Sequence, residues 1–385
     1  MDSTKKVRPP LKLPRFVIII ICVFPAVITI LFYSLLNNKS AMGWAAAHIS
    51  APIRKILGLI NSIYPFSMME VLIAVAVVWL VYFIVKTIII TVRTSDKLKH
   101  LSKRLLTVLV VVLYLWGLFC WLWNSGYHGP GFAEKNGFSG GGVSIDELAS
   151  VTAYFAEKAN EYALLVERDD DGHYIGDRRE FFKTSTSIYQ NIVNDYPGLE
   201  GRSYKPKAML FSWLMSRTGY TGIYFAYTGE SSININAPLC LMPATIAHEL
   251  AHQRGVYRED EANFVGIVAC VTSDSIAYMY AGYLLGLMHL MSALAFPAYE
   301  LWAEINGSLN LSVITDMQDN NEFWRSQEKV ETGIEFFDNV LTSLTEVVSD
   351  TVDTVYDGFL KSQNQELGLR TYGACVDLLV EHYSR

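Results

Sequence analysis

Cysteine is scarce in this sequence, and no two cysteines lie close together. Five are spread over 385 residues without a C-x-x-C pair. This argues against a disulfide-rich scaffold and against a zinc site built from cysteine thiolates. Basic residues are also scarce late in the chain, where residues 125–385 hold 17 Lys and Arg against 35 Asp and Glu. An acidic surface of this kind repels phosphate, so we expect no nucleic acid partner.

Charged residues are nearly missing from three long apolar runs in residues 1–124. The runs lie at about 16–36, 69–92 and 104–124, and each has about the 20 residues that a helix needs to cross a bilayer core. Lys86 lies near the end of the second run, where its side chain can reach the headgroups. We therefore predict a membrane anchor of three transmembrane helices, with the lipid bilayer as partner. Buried core helices and, for the first run, a cleaved signal peptide are the alternatives.

The basic residues of this anchor are unevenly distributed. They cluster before the first run and between the second and third runs, as Lys5, Lys6, Arg8, Lys12, Arg15, Arg93, Lys97, Lys99, Lys103 and Arg104. The positive-inside rule therefore predicts a cytoplasmic N-terminus and an extracytoplasmic domain at residues 125–385, in a multi-pass protein of the cell membrane. In the first loop, residues 49–66 are amphipathic and are expected to lie along the outer membrane interface.

The domain at residues 125–385 has mainly helical signals, and we predict a helix-rich α+β fold. Ser144 and Glu147 have the spacing of a capping box, which predicts a helix from there to about residue 166. Residues 179–194 are expected to form another helix. Residues 219–236 alternate apolar and polar side chains, as one or two strands do. Beyond residue 244 the pattern is again helical.

Three further segments each allow two interpretations. Gly and aromatic residues at 126–142 are typical of a linker or of a membrane-proximal loop. The acidic run at 167–177 resembles a calcium loop, but Arg178 stands where the last ligand is needed, so we predict a solvated turn. Residues 276–296 are uncharged and long enough to span a membrane. Their Tyr, Gly and His content and the absence of basic flanks favour a buried helix instead.

The sequence HELAH carries the functional prediction. Residues four apart share one face of a helix, so His248 and His252 can aim their imidazoles at one metal ion. Glu249 follows the first histidine, where it can act as general base toward a water that zinc activates. Pro243 can begin this helix and Gly255 can end it. A helix that carries two histidines and a glutamate by chance is the alternative.

A catalytic zinc site usually takes a third protein ligand, and three carboxylates follow the motif, at Glu259, Asp260 and Glu261. Glu259 is the first choice because Asn263 lies one helical turn later, where its amide can hold a ligand histidine. Glu261 is the second choice. A solvated helix start, favoured by the helix dipole, explains any one of these carboxylates equally well. Iron and manganese are open alternatives to zinc.

The motif and the residues after it resemble known metallopeptidases. HELAH followed by EDEAN is similar to the gluzincin pattern, although the six residues between His252 and Glu259 are fewer than gluzincins have. That resemblance implies zinc ligands, a base and a supporting amide at His248, His252, Glu259, Glu249 and Asn263. The motif also resembles the opening of the metzincin pattern, but Arg258 stands in that group's third-ligand position and cannot bind a cation.

The chain as a whole is similar to an uncharacterised bacterial family of membrane-anchored, zincin-like proteins, classified as a domain of unknown function. Residues 53–67, 221–255 and 359–383 carry the similarity. It implies a zincin-like extracytoplasmic domain that binds Zn²⁺. In zincins a strand beside the site pairs with the peptide substrate, and residues 222–236 have the right position for that role. Tyr372 is a candidate to stabilise the oxyanion.

Three functions follow from these patterns. The first is a membrane-anchored zinc metallopeptidase that hydrolyses a peptide or protein at the outer membrane face, with Glu249 as general base. The second is a sensor or scaffold, in which a zinc-stabilised ectodomain without proteolysis passes its state through the membrane. The third is a structural membrane protein in which the HELAH sequence is fortuitous.

Overall fold

The described part of the chain is helix-rich and contains one small sheet. The computed structural model describes residues 14–140, 142–327 and 375–384, and the single residues 354 and 357. Within them the predicted helix-rich α+β class is confirmed at this level of detail.

The first third of the chain contains the long apolar helices. Its elements are α1 (Arg15–Leu35), α2 (Lys39–Ala45), a π-helical turn (Ala46–Ser50), α3 (Ala51–Asn61), α4 (Met68–Arg93) and α5 (Lys97–Phe119). By length and composition, α1, α4 and the helical run from Lys97 to His128 can cross a membrane. The most hydrophobic stretch of α4, all of it described, has no buried residue. These helices support membrane association.

The topology prediction depends in part on the basic residues that precede α1. Lys5, Lys6, Arg8 and Lys12, which lie before α1, are outside the described residues. The side of the membrane on which each loop lies therefore stays a prediction.

The second part of the chain packs helices around the sheet. A second π-helical turn (Cys120–Asn124) leads into the elements α6 (Ser125–His128), α7 (Phe132–Lys135), α8 (Ile145–Ala163), α9 (Arg178–Thr184), β1 (Lys207–Ala208), α10 (Ser212–Arg217), β2 (Gly222–Phe225), β3 (Glu230–Ile233), α11 (Met242–Gln253), α12 (Glu259–Val271), α13 (Ile276–Leu294), α14 (Tyr299–Gly307), α15 (Leu311–Ser326) and α16 (Cys375–Tyr383). The main hydrophobic core lies among α8, α11, α12, α13 and α16.

The strands form a sheet in the order β1-β3-β2. β2 pairs antiparallel with β3, with Tyr224 opposite Ser231, and β1 pairs parallel with β3, with Lys207 opposite Ser232. Two strands within 219–236 are therefore confirmed, while the two-residue β1 is too short to have a sequence signature.

Two local predictions before the sheet are confirmed. The Ser144 Oγ accepts from the N–H of Glu147 (3.2 Å), and the Glu147 carboxylate accepts from the N–H of Ser144 (3.0 Å), so the capping box is present. In the acidic run, Asp169 accepts from the N–H groups of Asp171 (3.1 Å) and His173 (2.8 Å) and so closes a solvated turn.

The predicted helix at 179–194 is wrong in its second half. The α-helix ends at Thr184, and turns connect it to a 3₁₀ segment at Ile192–Asn194. Ser185 and Ser187 donate their hydroxyls to the carbonyls of Phe182 (2.7 Å) and Thr184 (2.9 Å), bonds of the kind that compete with helical continuation.

α13 is also long and apolar enough to cross a membrane, but its burial supports the buried helix that its sequence favours. Over half of its most hydrophobic stretch (56%) is buried inside the protein, where it packs against α8, α11 and α12. The hydroxyls of two of its tyrosines form hydrogen bonds inside the protein. Tyr278 donates to the carbonyl of Phe181 at 2.7 Å, and Tyr280 donates to the carboxylate of Asp316.

The first-loop segment 49–66, which was predicted to lie along the outer membrane interface, packs one of its faces against protein. One face of α3 is buried against the sheet side of the protein, with Arg54, Gly58 and Asn61 buried. The Asn61 amide donates to the carbonyl of Thr228 (2.8 Å) in the turn between β2 and β3. One face of the amphipathic helix α3 therefore contacts protein, while the apolar residues of α3 on the other face remain exposed.

Candidate metal centre

α11 carries the HELAH sequence on its last two turns. The helix begins at Met242 with Pro243 in its first turn, where a missing N–H removes no helical bond. It ends in a turn in which the N–H of Val256 donates to the carbonyl of Ala251 (3.1 Å), with Gly255 at φ 85°. Glycine enters that left-handed conformation without strain, so the predicted start and stop of this helix are confirmed.

The same turn orients the second histidine of the motif. It brings the carbonyl of Val256 to 2.7 Å from Nδ1 of His252. Because a carbonyl only accepts, Nδ1 of His252 carries a proton, and in the neutral ring Nε2 keeps its lone pair. His248 is held in the same way, with Nδ1 2.8 Å from Oδ1 of Asn263. This is the contact predicted for that amide.

α12 brings a carboxylate to the two rings. Oε2 of Glu259, the first residue of α12, lies 3.1 Å from Nε2 of His248 and 3.5 Å from Nε2 of His252. One ligand atom from each of the three residues lies within 4.8 Å of the others. Burial by itself raises the pKa of Glu259, but the two histidine rings, His252 most strongly, lower it well below its usual range.

This arrangement requires a cation. With both Nδ1 atoms donating, the two Nε2 lone pairs and Oε2 of Glu259 face one another as three acceptors. Either a proton on one ring or a metal ion removes the repulsion among them. Two imidazoles and one carboxylate are a donor set of catalytic zinc sites, so the side chains His248, His252 and Glu259 fit such an ion.

The competing carboxylate points away from the two rings. Oε1 of Glu261 accepts from the N–H of Ala133 (2.9 Å), at the start of α7. Glu259 is 3% exposed and Glu261 is 2% exposed, so a solvated helix start is wrong for both. Burial, together with the charge of Glu261, raises the pKa of Asp260 between them to about 6. The contact with Ala133 also shows that α7, which lies within the predicted linker or membrane-proximal loop, packs against the start of α12.

Glu249 is buried, and one of its oxygens lacks a partner. It is 4% exposed, and its Oε2 has no hydrogen-bond partner among the described residues. Burial raises the pKa of Glu249 to about 8, with His248 acting against the shift and Glu259 adding to it. β2 begins against this carboxylate, because a Cβ on Gly222 would stand 2.6 Å from Oε1 of Glu249. Only a glycine allows this close approach.

A cavity of about 490 Å³ opens beside His248 and Glu249. Its other walls come from the segment that leads into β2 and from helices α11, α13 and α15, with Thr218, Tyr220, Thr221, Leu241, Leu285, Met288, His289, Asn320 and Trp324 among the lining residues. Burial, with a contribution from His248, lowers the pKa of His289 to about 4. Glu249 is the one carboxylate among the described residues that line this cavity.

Residues of the first third of the chain reach the site from its other side, which the sequence did not predict. Arg54 of α3 is 3% exposed and donates to the carbonyl of His252 (3.2 Å) and to the hydroxyls of Tyr224 (3.2 Å) and Tyr257 (2.7 Å). Trp123 sets its ring edge-on to the ring of His252, with centroids 5.5 Å apart. The sequence places Arg54 on an amphipathic helix. An arginine in that position is equally typical of a contact with lipid headgroups, so its contact with the site could not be predicted.

Comparison with known proteins identifies a family. The chain belongs to the family described as Protein of unknown function (DUF3810), whose sequence profile matches residues 46–380. The resemblance to a domain of unknown function is thereby confirmed, and its zincin part stays a prediction. No curated protein and no solved structure matches the chain. Tyr372, the candidate oxyanion stabiliser, lies within the matched range but outside the described residues.

Proposed function

We propose that this member of the family is a membrane-anchored metallopeptidase that uses Zn²⁺. The observation that carries the proposal is the convergence of His248, His252 and Glu259 beside the buried, partly unpartnered carboxylate of Glu249. Three protein ligands leave a coordination position for water or substrate. When bound, zinc supplies a Lewis acid that polarises the substrate carbonyl and makes water a nucleophile at neutral pH.

Glu249 moves the proton in the proposed reaction. Its Oε2, which has no partner among the described residues, accepts the proton of the attacking water and then passes it to the leaving amine. Asn263 and the carbonyl of Val256 keep the two imidazoles in place through their Nδ1 atoms.

The edge of the sheet and the cavity are the proposed binding surfaces for the substrate. β2 lies at an edge of the sheet that the described residues form, so the backbone groups on its far side are available to an extended peptide. The cavity beside Glu249 is lined in part by Leu241, Leu285, Met288 and Trp324 and suits an uncharged apolar side chain.

The proposed topology places this chemistry outside the cell. α1, α4 and the run from Lys97 to His128 are the three proposed spans, with the N-terminus and the loop between α4 and α5 in the cytoplasm. α3 and the sheet then face the outer membrane surface, where a peptide or protein substrate binds. This topology depends on the distribution of basic residues and is part of the proposal.

Elemental analysis tests the metal centre. We expect about one zinc per chain in the full-length protein in detergent, lost in His248→Ala and Glu259→Ala and kept in Glu261→Ala. The full chain is required because Arg54 and Trp123 contact His252. Folded wild-type protein without metal would contradict the proposal.

Peptide hydrolysis tests the catalytic base. Glu249→Ala is expected to keep its zinc and to lose about 10²- to 10⁴-fold in turnover of a peptide mixture, the usual contribution of a general base. A Glu249→Ala protein with undiminished hydrolysis would remove the assignment of Glu249.

A metal sensor without proteolysis is the second candidate function. The observation that favours it is the contact of His252 with Trp123 and Arg54, since metal binding can then reach the apolar helices directly. A zinc-dependent change in accessibility of the loop between α4 and α5, unaltered in Glu249→Ala and without peptide hydrolysis, would support it.

A further inference from the structure

We infer that a surface beside the start of α4 is inserted in the outer interface of the lipid bilayer. This interfacial patch consists of two groups of exposed side chains, one from the start of α10 and the residues just before it, and one from the outer face of α3 and the turn that follows it. Its members are Leu210, Phe211, Trp213 and Leu214 in the first group and Ile53, Ile56, Leu59, Ile60 and Ile63 in the second. The proposed partner is lipid and not a protein.

The first group is unusually apolar for a surface segment. Leu210 is 80% exposed, Trp213 is 57% exposed, and Phe211 and Leu214 are also exposed. No charged residue occurs from 208 to 216. Four large apolar side chains within five residues mark a contact surface rather than a solvated turn. Tryptophan is moreover enriched where proteins meet the headgroup level of a bilayer.

The depth of this group is set by its contact with α4. The carboxylate of Glu70, in the first turn of α4, accepts from the N–H groups of Leu210 (3.0 Å) and Phe211 (2.8 Å). Directly after Glu70, the exposed apolar residues of α4 begin at Val71. Leu210 and Phe211 are therefore at the level where α4 enters the hydrocarbon.

A second contact makes the junction rigid. Met69 packs against Met209 and Met215, on either side of the first group. The N–H of Met69 also donates to the carboxylate of Glu230 (2.7 Å), the first residue of β3. The start of α4, the patch and the sheet therefore form one packed unit, and the level of α4 in the bilayer determines the level of the other two.

The second group belongs to α3 and to the turn that follows it, just before α4. α3 buries Arg54, Gly58 and Asn61 against the protein, so its isoleucines and Leu59 face outward. Only the short segment 62–67 separates α3 from α4. An amphipathic helix directly before a spanning helix has the position and chemistry to lie in the plane of the interface.

Lipid contact at this patch restricts the proposed peptidase to substrates that are present at the membrane surface. α10 leads directly into residues 218–222, which line the cavity beside Glu249. With α10 in the interface, the cavity wall is held at the membrane surface. This restriction rests on the proposed function, whereas the lipid contact itself does not depend on catalysis or on metal.

Spin labels in the full-length chain, reconstituted in lipid nanodiscs, test the contact. Cys22 is the only one of the five cysteines that is not buried, so a Cys22→Ser protein serves as background. Labels are placed by Leu210→Cys and Trp213→Cys. Two control positions are equally open: Val78→Cys in the middle of α4 (70% exposed) and Leu311→Cys at the start of α15 (78% exposed).

The readout is collision with oxygen, which partitions into lipid, against collision with a water-soluble nickel chelate. We expect labels at 210 and 213 to collide with oxygen several-fold more than with the chelate, as at 78, and the label at 311 to show the reverse. Labels at 210 and 213 that behave like the label at 311 would overturn the inference. Protection from both reagents would also overturn it, because it would indicate a protein partner. Neither result depends on whether the protein hydrolyses peptides.

Discussion

His248 and His252 lie four residues apart on one helix, yet different parts of the chain hold them. His248 faces the cavity, and Asn263 of the neighbouring α12 orients its ring. His252 faces the apolar helices, where Arg54 binds its carbonyl and Trp123 contacts its ring. The comparison shows that one side of the candidate metal centre is built by residues of the predicted domain (125–385) and the other by residues of the predicted anchor (1–124).

This difference bears on the division of the chain into an anchor and a domain. The predicted boundary between residues 124 and 125 falls inside a continuous helical run from Lys97 to His128. Trp123 and Tyr127, on either side of it, pack in one cluster with Tyr257. The two regions therefore differ in composition but share part of their core.

Removing the anchor is the most severe way to separate the two sides. We expect the fragment 125–385 to aggregate or to bind less than one zinc per chain, because Tyr224 and Tyr257 lose the cover of Arg54 and Trp123. Size-exclusion chromatography with elemental analysis, beside the full-length protein, measures this. A monomeric fragment with a full zinc complement would show that the His252 side does not need the anchor.

A single substitution on the anchor side should have the next largest effect. Arg54→Ala removes the donor from four buried acceptors, the hydroxyls of Ser50, Tyr224 and Tyr257 and the carbonyl of His252, and is expected to lower the free energy of unfolding by about 3 kcal/mol. Thermal unfolding in detergent measures the loss. Lys55→Ala, at the neighbouring exposed residue of the same helix, is the control and should change stability by less than about 0.5 kcal/mol.

On the domain side, the expected effect is on metal affinity rather than on folding. Asn263→Ala removes the acceptor of His248 Nδ1, and loss of such a partner typically weakens metal binding about 10- to 100-fold. Competition with a chelator measures the affinity. Asn263→Asp keeps an oxygen acceptor at that position and should retain most of it. Equal affinities for wild type and Asn263→Ala would mean that the contact does not support a ligand.

The cavity side also predicts a pH dependence. Burial lowers the pKa of His289 to about 4, below its value of about 6.5 in an unfolded chain. As the pH falls from about 6.5 to 4, the unfolded state therefore takes up a proton that the folded state does not, and stability decreases. His289→Gln should reduce this decrease. Unfolding temperatures of both proteins from pH 7 to pH 4 would show whether the slopes differ.

The smallest effect is expected from the aromatic contact on the anchor side. Trp123→Leu keeps an apolar side chain but removes the edge contact with His252, a change of about 1 kcal/mol beyond lost area. Trp79→Leu on the outer surface of α4 is the control. If both substitutions lower the unfolding temperature equally, the contact with His252 does not contribute to stability.

Local patterns allowed much of the site and fold to be predicted. The four-residue spacing of His248 and His252, the stop at Gly255 and the contact of Asn263 are all consequences of helix geometry within a short stretch of chain. The capping box at Ser144 is equally local. Length and apolarity did not separate α4 from α13, and the Tyr, Gly and His content of α13 and its lack of basic flanks indicated that it is buried in protein.

What escaped prediction depends on contacts that are distant in sequence. Nothing near Arg54 indicates that its partners are His252, Tyr224 and Tyr257, and nothing near Glu261 shows that it binds the N–H of Ala133. The overextended helix after residue 184 has a different cause, because serine side chains there bind their own backbone.

The position of Arg54 in the chain also imposes an order on biosynthesis. Arg54 and His252 are 198 residues apart, so at about 5–20 residues per second the ribosome needs roughly 10–40 s between them. During this interval the arginine has none of its later partners Tyr224, Tyr257 and His252, and an amphipathic helix resting among lipid headgroups can keep it solvated. The partners that bury Arg54 are complete only once the chain has been made as far as Tyr257, so the candidate metal centre forms late in synthesis although one of its supports is made early.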